Sequence, residues 1–246
     1  MIVLGIETAT QQVGCAIGGQ EGVLASFHAA RGRRHAETLA PAIDFVCQRA
    51  RIKLSEVSVV AVDIGPGLFT GLRVGIATAK AIAQALRVPM IGLVSLDLLA
   101  FPVRYSGRLI VPAIDARRGE VFYAFYRHVP AGVQRLSEYE LGVPHDVTNE
   151  LLARGEEALL VGDGALRHWG RDDEARAGIE IVTLGHAYPS ASDLVELAHP
   201  KALREEFVPP WELAPLYLRQ ADAEINWDRR HGAAATAGPV PAGEGA

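Results

Sequence analysis

The stretch from Asp63 to Gly75 constrains the fold more than any other part of this chain. It follows a short, nearly continuous apolar run at residues 57–64, of the kind that a buried strand requires. The Gly65-Pro66-Gly67 sequence inside it cannot continue a strand or a helix, because proline lacks a backbone donor and glycine adopts angles closed to other residues. The pattern therefore predicts a sharp strand-to-helix turn.

The predicted turn also has the chemistry of an anion site. Thr70 is predicted to cap the next helix with its hydroxyl group, and the free amides of the first helical turn would point back into the loop. Such a corner can bind an anion, which makes Gly65, Pro66, Gly67 and Thr70 candidate binding residues. A plain tight turn explains the same residues equally well, because one glycine loop before a helix is a weak signal.

The helix predicted after this turn is rich in small apolar residues. Between residues 71 and 86 the clearly polar side chains are Arg73, Thr78, Lys80 and Gln84. A helix that lies on a sheet needs one apolar stripe, so a second surface is expected to cover the outer side of this helix. Glycine inside a helix costs about 1 kcal/mol relative to alanine, so Gly75 predicts the close approach of another backbone, from a neighbouring helix or a partner.

Composition narrows the classes of function. The 246 residues include 24 Lys and Arg against 29 Asp and Glu, and the net charge of −5 argues against a broad positive surface for gripping nucleic acid. Cys15 and Cys47 are too few for a disulfide scaffold and suit reduced thiols. The first residues lack a basic region and a cleavage site, and no apolar run reaches about 18 residues, so a cytoplasmic protein without a membrane segment is expected.

Residues 1–100 are predicted to form an α/β lobe, in which helices pack on a mixed sheet. Apolar runs and a glycine-rich link predict three strands, at residues 2–7, 13–18 and 23–28. The helix that follows has Leu39, Ile43 and Val46 at helical spacing. A further strand at residues 88–94 and a short helix ending at Ala100 complete this lobe.

A second lobe is predicted over residues 101–228, beginning with a hairpin of strands at residues 109–114 and 121–126. Asp115 lies at the corner of this hairpin and could be a catalytic carboxylate. A salt bridge with the adjacent Arg117 and Arg118 is the simpler interpretation. Further elements are a helix at 148–152, a strand at 158–161, a helix at 192–198 and an extended segment at 215–219. Residues 229–246 are predicted to be a disordered tail.

Few residues carry a recognisable chemical motif. No two of the eight histidines are four residues apart, and Gly-x-Ser-x-Gly, Walker and Cys-x-x-Cys patterns are missing from the sequence. The Glu7–Thr10 turn could hold a phosphate or a metal, although a polar turn tied by side-chain hydrogen bonds explains it better. The Arg31, Arg33 and Arg34 cluster fits either a solvated loop or a contact with a phosphate backbone.

Several blocks of sequence resemble the TsaB family, formerly called YeaZ, in order from residue 1 to about residue 224. They are GIETAT, HAETLAP, DIGPGLFTGLRVG, SLDLLA, IDARRGEVFYAFY and PLYLRQADAE. The GPG-x-FTGLR-x-G run with the DAR-x-GEV hairpin is highly specific, whereas GIETAT is shared more widely. The resemblance implies the actin-like, sugar-kinase-like and Hsp70-like (ASKHA) fold, with two lobes that each contain a mixed sheet and flanking helices.

The same resemblance implies a role in making threonylcarbamoyladenosine beside the tRNA anticodon. In that family a paralogue, TsaD, transfers the threonylcarbamoyl group, and a small ATPase, TsaE, joins the complex. ATP and a metal are expected in those partners, since the metal-holding HxxxH of TsaD is missing from this sequence. This chain is then expected to be a non-catalytic subunit that pairs with TsaD or with its own copy and meets tRNA indirectly.

Pairing in the family uses the helix after His35 and the helix after Gly71. The expected contact residues here are His35, Leu39, Ile43, Val46, Gly71, Leu72, Gly75, Ile76 and Ala79. Arginine at Gly75 or Ala79 is expected to abolish pairing and leave the fold intact.

Two alternatives remain open. An ATP-dependent kinase or hydrolase could use the cleft between the lobes, through the loops at Glu7, Gly65 and Gly162. Glu7 stands where the family pattern has aspartate and Leu68 where it has a small polar residue, which weakens the expectation of a ligand there. A peptidase would need paired histidines or an evident nucleophile, and the sequence shows neither.

Overall fold

The computed structural model describes residues 1–30, 35–130, 132–169 and 178–219. The predicted tail at residues 229–246 and the cluster of Arg31, Arg33 and Arg34 lie outside these ranges. Within them, no helix combines the length and the hydrophobicity needed to cross a bilayer.

The first lobe is built on a five-stranded mixed sheet in the order β3-β2-β1-β4-β5. Strand β1 pairs antiparallel with β2 and parallel with β4, which in turn is parallel to β5. The predicted strands are confirmed, with bounds of Ile2–Glu7 (β1), Val13–Gly19 (β2), Gly22–Ala29 (β3), Val59–Asp63 (β4) and Met90–Leu93 (β5). The predicted helices are confirmed as His35–Ala50 (α1), Phe69–Leu86 (α2) and Ser95–Ala100 (α3).

Both faces of this sheet are covered over β1, β2, β4 and β5, which is why these strands are mostly buried, whereas the edge strand β3 alternates with exposed residues. Alternate side chains such as Leu4 and Val60 pack in a core with α1 and α2. Their neighbours Val3 and Ala61 pack on the other face, against the helix Ala191–Leu203 (α6). The position of this helix in the sequence predicts a place in the second lobe, but the helix packs on the sheet of the first lobe. The division at residues 100 and 228 stays a prediction about folding units.

The second lobe repeats the strand order of the first, with a sheet that runs β10-β7-β6-β11-β12. Strand β8 pairs with β6 and β9. The predicted hairpin is confirmed, but its second strand is split in two. The strands are Leu109–Arg117 (β6), Glu120–Tyr123 (β7), Tyr126–Val129 (β8), Gly132–Arg135 (β9), Glu140–Gly142 (β10), Ala158–Val161 (β11) and Ile179–Ile181 (β12). The helices of this lobe are Pro144–Arg154 (α4) and Asp163–His168 (α5).

The two lobes thus have the same strand order and place acidic residues at corresponding strand ends. Glu7 and Asp63 end the parallel strands β1 and β4. Asp115 lies near the end of β6, and Asp163 directly follows the parallel strand β11 and Gly162. Two related lobes, each with a mixed sheet and flanking helices, confirm the predicted ASKHA fold class.

Candidate functional site

The glycine turn between β4 and α2 is held by hydrogen bonds within the chain. The amide of Gly65 donates to Asp63 Oδ1 (2.8 Å), and its carbonyl accepts from the amide of Ser95 (2.9 Å). The amide of Leu68 donates to the carbonyl of Ala9 (2.6 Å). Two amides that an anion could have used are therefore already bonded.

The predicted role of Thr70 as a helix cap is wrong. Helix α2 begins at Phe69, so Thr70 is its second residue, and the cap position is occupied by Leu68, which makes no side-chain cap bond. The anion site at Gly65, Pro66, Gly67 and Thr70 stays a prediction. The hydrogen bond from the Gly65 amide to Asp63 works against it, because that amide is no longer free to bind an anion.

Glu7 and Asp63 form a buried pair of carboxyl groups. The register that pairs Ile6 with Val62 makes them neighbours on adjacent parallel strands, and both are fully buried. Glu7 Oε1 accepts from the amide of Ala9 (2.7 Å), and Asp63 Oδ1 accepts from the Ser95 hydroxyl (2.6 Å). In the part of the chain that is described, the second oxygen of each carboxyl group has no hydrogen-bond partner.

Burial controls the ionisation of this pair. Burial, and then the nearby Asp63, raise the pKa of Glu7 well above its usual range. Burial also raises the pKa of Asp63 to about 7, against the opposing effect of its hydrogen bonds to Ser95 and Gly65. Buried carboxyl groups without a counter-charge hold protons more tightly because ionisation in a low-dielectric site is costly. The pair of carboxyl groups is therefore suited to holding a proton and is not suited to binding phosphate.

The turn after β1 packs against two glycines of α2, Gly71 and Gly75. A Cβ atom on Gly71 would lie 2.1 Å from the carbonyl oxygen of Thr8, and one on Gly75 would lie 2.1 Å from Thr8 Oγ1. The Thr8 hydroxyl also donates to the carbonyl of Gly71 (2.8 Å). The backbone predicted to approach Gly75 is absent from the described contacts of that residue, which meets the Thr8 side chain, and the backbone of Thr8 approaches Gly71 instead.

The nine predicted contact residues lie on the inner faces of α1 and α2. His35 Nε2 is 3.0 Å from the carbonyl oxygen of Thr10, which ties the start of α1 to the β1 turn. All nine are buried within the first lobe, namely His35, Leu39, Ile43, Val46, Gly71, Leu72, Gly75, Ile76 and Ala79. Arginine at Gly75 or Ala79 would disrupt this packing, so it could not leave the fold intact. Pairing through these two helices stays a prediction.

A groove of about 650 Å³ lies between α1 and α2. Its lining is mainly apolar and comes from both helices and from the short turn that follows α1; the lining includes Ala40, Ile43, Cys47, Ile52, Thr78 and Ile82. Asp44, Gln48, Arg51 and Lys53 add polar groups to it. Beside the groove, α2 exposes Ala77, Ala81 and Ala85. Of the predicted contact residues, Ile43 reaches this groove.

Asp115 is contacted by the side chains of two arginines and one histidine. Its carboxylate lies 3.0 Å from Arg117 Nη1, as the predicted turn salt bridge requires. Arg167 Nη1 (3.5 Å) and His168 Nε2 (3.2 Å) also approach it, and sequence reasoning missed both. The parallel pairing of β6 with β11 brings them together, and no local pattern signals it. In the described ranges, no three His, Cys, Asp or Glu side chains are grouped to hold a metal.

Comparisons with known proteins agree with the fold. The family model described as "TsaD: tRNA N6-adenosine threonylcarbamoyltransferase" matches residues 23–157, more than half of the chain. The chain is 28% identical to the tRNA threonylcarbamoyladenosine biosynthesis protein TsaB of Bacillus subtilis over 228 residues, covering 92% of this chain and 98% of that protein. It is 30% identical to TsaB of Buchnera aphidicola over 200 residues, covering 79% and 91%.

A solved structure also has the same fold as this chain. The Pseudomonas aeruginosa protein described as uncharacterized with similarity to peptidase YEAZ superposes with a TM-score of 0.77. Its sequence is 26% identical, and the match covers 89% of this chain and 99% of that one. The match of sequence and fold along most of the chain leads to one conclusion, which the sequence blocks also predict: the chain belongs to the TsaB (YeaZ) family.

Proposed function

We propose that this chain acts in tRNA threonylcarbamoyladenosine biosynthesis as a non-catalytic subunit that binds a TsaD paralogue. In this role it supports the transfer of the threonylcarbamoyl group to the adenosine beside the anticodon. The observation that carries the proposal is the apolar groove between α1 and α2, on the outer side of the lobe. The biosynthetic pathway is inferred from the membership of the chain in the TsaB family.

The groove has the features of a helix-docking site. An amphipathic helix binds such a surface by placing apolar residues at spacings of three and four into it. The exposed alanines at positions 77, 81 and 85 of α2 would let a second backbone approach closely. Asp44 beside Arg51 and Lys53 offers charges of both signs to fix the register of a partner. A contact of about 800 Å² per partner would be of ordinary size for a specific complex.

In this proposal, the partner subunits carry out the transfer of the threonylcarbamoyl group. Asp115 is held by Arg117, Arg167 and His168, and Glu7 is fully buried, so neither carboxyl group is presented to a substrate. ATP and a metal would then be bound by TsaD and TsaE, and tRNA would be met through the assembled complex. A second copy of this chain could use the same groove when TsaD is missing.

The test is co-purification with the TsaD paralogue encoded in the same genome, followed by a modification assay with each subunit omitted. Ala81→Arg places a charged side chain on the exposed face beside the groove without entering the core. We expect it to weaken the complex by at least about 2 kcal/mol, roughly thirtyfold in Kd, because an unpaired charge would be buried at the contact.

Ala153→Arg is the matched control, since Ala153 is exposed on α4 of the second lobe. Both variants should unfold at the temperature of the unmodified protein. If Ala81→Arg binds TsaD as tightly as Ala153→Arg does, the proposed docking surface is wrong. If the purified chain alone installs the modification, the non-catalytic role is wrong.

The alternative function is an ATP-binding phosphotransferase or hydrolase in the cleft between the lobes. The position of Glu7 and Asp63 at the carboxyl ends of parallel strands favours it, since ligands of α/β sheets bind at such ends. Their complete burial and raised pKa values disfavour it. Calorimetry of the isolated chain with ATP and Mg²⁺ separates the two functions, because heat of binding followed by turnover would support the enzyme.

A further inference from the structure

Helix α3 joins the cores of the two lobes. Its Leu98 packs with α6 and the inner strands of the first lobe. Its Leu96 and Leu99, two residues before and one residue after Leu98, pack with β6, β7 and β11 of the second lobe. Rotation of one domain against another is the default unless their interface is large and hydrophobic, and here the apolar contact runs through a shared helix.

The first residue of α3 is bonded to the first lobe. The Ser95 amide donates to the carbonyl of Gly65, and the Ser95 hydroxyl donates to Asp63. The start of α3 is therefore fixed to the glycine turn that leads into α2. Any movement of α3 would break these buried contacts.

The third residue of α3 is bonded to the second lobe. Asp97 Oδ1 accepts a hydrogen bond from the Tyr126 hydroxyl (2.6 Å), and the Tyr139 hydroxyl lies 3.0 and 3.1 Å from the two carboxylate oxygens. Tyr126 is almost fully buried. The guanidinium of Arg135 stacks over the ring of Tyr139 at 4.0 Å and holds it in place. Hydrogen bonds to a charged acceptor are among the stronger ones in proteins.

We propose that Asp97 is a positioning residue that locks the two lobes at one angle through Tyr126 and Tyr139, so that the cleft between the lobes does not open and close. The inference goes beyond the proposed function and does not depend on it. A hinge needs a few residues that can adopt two arrangements. Helix α3 is instead packed and hydrogen-bonded to both lobes at once.

The test measures the distance between spin labels on the two lobes by double electron–electron resonance. The residues Gln84 on α2 and Ala153 on α4 are each replaced by a cysteine that carries a spin label. Both positions are exposed and lie on helices, so the labels report the distance between the lobes. We expect the labelled chain to give one narrow distance distribution, unchanged by ATP and Mg²⁺. Asp97→Ala removes both phenol contacts and should shift the distribution or broaden it roughly twofold.

Tyr139→Phe is the milder variant, because it removes one hydroxyl and keeps the ring under Arg135. Tyr105→Phe is its matched control, since Tyr105 is exposed. We expect Tyr139→Phe to broaden the distribution in part and Tyr105→Phe to leave it unchanged, with equal amide exchange in β1 and β4 for both. The proposal is overturned by two populated distances in the unmodified chain, or by a Tyr139→Phe distribution as narrow as that of Tyr105→Phe.

Discussion

The buried carboxyl group of Asp63 couples the stability of the first lobe to pH. Its pKa is raised to about 7 in the folded chain, against about 3.9 in an unfolded one. Between these values the folded chain holds a proton that the unfolded chain has lost. The stabilisation is therefore complete below about pH 4 and is lost as the pH rises through about 7.

Asp63→Asn tests this linkage. Asparagine can keep an acceptor for Gly65 and Ser95 but carries no charge, so we expect the variant to gain stability relative to the unmodified chain as pH rises from 5 to 8. The gain should be of the order of a few kcal/mol and is measured by urea unfolding at several pH values. Glu138→Gln, an exposed change on the surface, is the control. Parallel pH profiles for Asp63→Asn and the unmodified chain would contradict the raised pKa.

At Gly75, packing and helix propensity have opposite effects on the free energy of unfolding. Alanine is favoured over glycine in a helix by about 1 kcal/mol, but its Cβ would lie 2.1 Å from Thr8 Oγ1. We expect the clash to dominate, so that Gly75→Ala lowers the free energy of unfolding by about 1–3 kcal/mol. Thr8→Ala in the same chain should recover part of this loss.

The matched change at an open position of α2 is Ala81→Gly, which should cost about 1 kcal/mol through propensity alone. Thermal or urea unfolding of these three variants and of the unmodified chain gives the comparison. A Gly75→Ala chain more stable than the unmodified one would refute the close packing of Thr8 on α2.

At the scale of elements, α6 begins at Ala191 and stabilises a sheet whose last strand ends at Leu93. Leu194 is fully buried against this sheet, so Leu194→Ala should cost about 2–5 kcal/mol through lost burial and a cavity. Amide hydrogen exchange should accelerate in β1 and β2 before it does in β6 and β11. Leu203→Ala, at the exposed end of the same helix, should change little. Faster exchange confined to the second lobe would show that α6 belongs there.

The sequence predicted that α1 and α2 exist, but not which faces they bury. Their bounds agree with the prediction within a few residues, because apolar spacing and the glycine turn act locally. A helix with alanine or glycine on most sides shows no single stripe, so Leu72 and Ala79 could not be told apart from Ala77 and Ala81. Only the strands and the β1 turn packed beneath α2 decide between them, and these contacts are not local.

At the scale of the whole molecule, charge predicts weak binding of tRNA by the isolated chain. The net charge is −5, and phosphate contacts supply most of the affinity for nucleic acid. We expect a Kd weaker than about 10⁻⁴ M near physiological salt, and tighter binding once the TsaD paralogue is added. Filter binding with and without the paralogue measures both. Tight, salt-dependent binding by the chain alone would show that it meets tRNA directly.

Across the whole molecule, the sequence predicts contacts correctly where neighbours in sequence are neighbours in space. The pairings of β1 with β2, of β2 with β3 and of β6 with β7 follow this rule, and so does the pair of Asp115 with Arg117. It failed where distant segments meet, as in the return of α6 to the first sheet and the approach of His168 to Asp115. Long-range pairing of strands decides such contacts, and one sequence without its structure carries no direct signal of it.

The first sheet carries α1 and α2 on one face and α6 on the other. Two neighbours bound to these opposite sides would be separated by the thickness of the lobe, and neither would need to be displaced for the other to arrive. A partner in the groove between α1 and α2 would therefore leave the α6 side of the sheet uncovered by that partner.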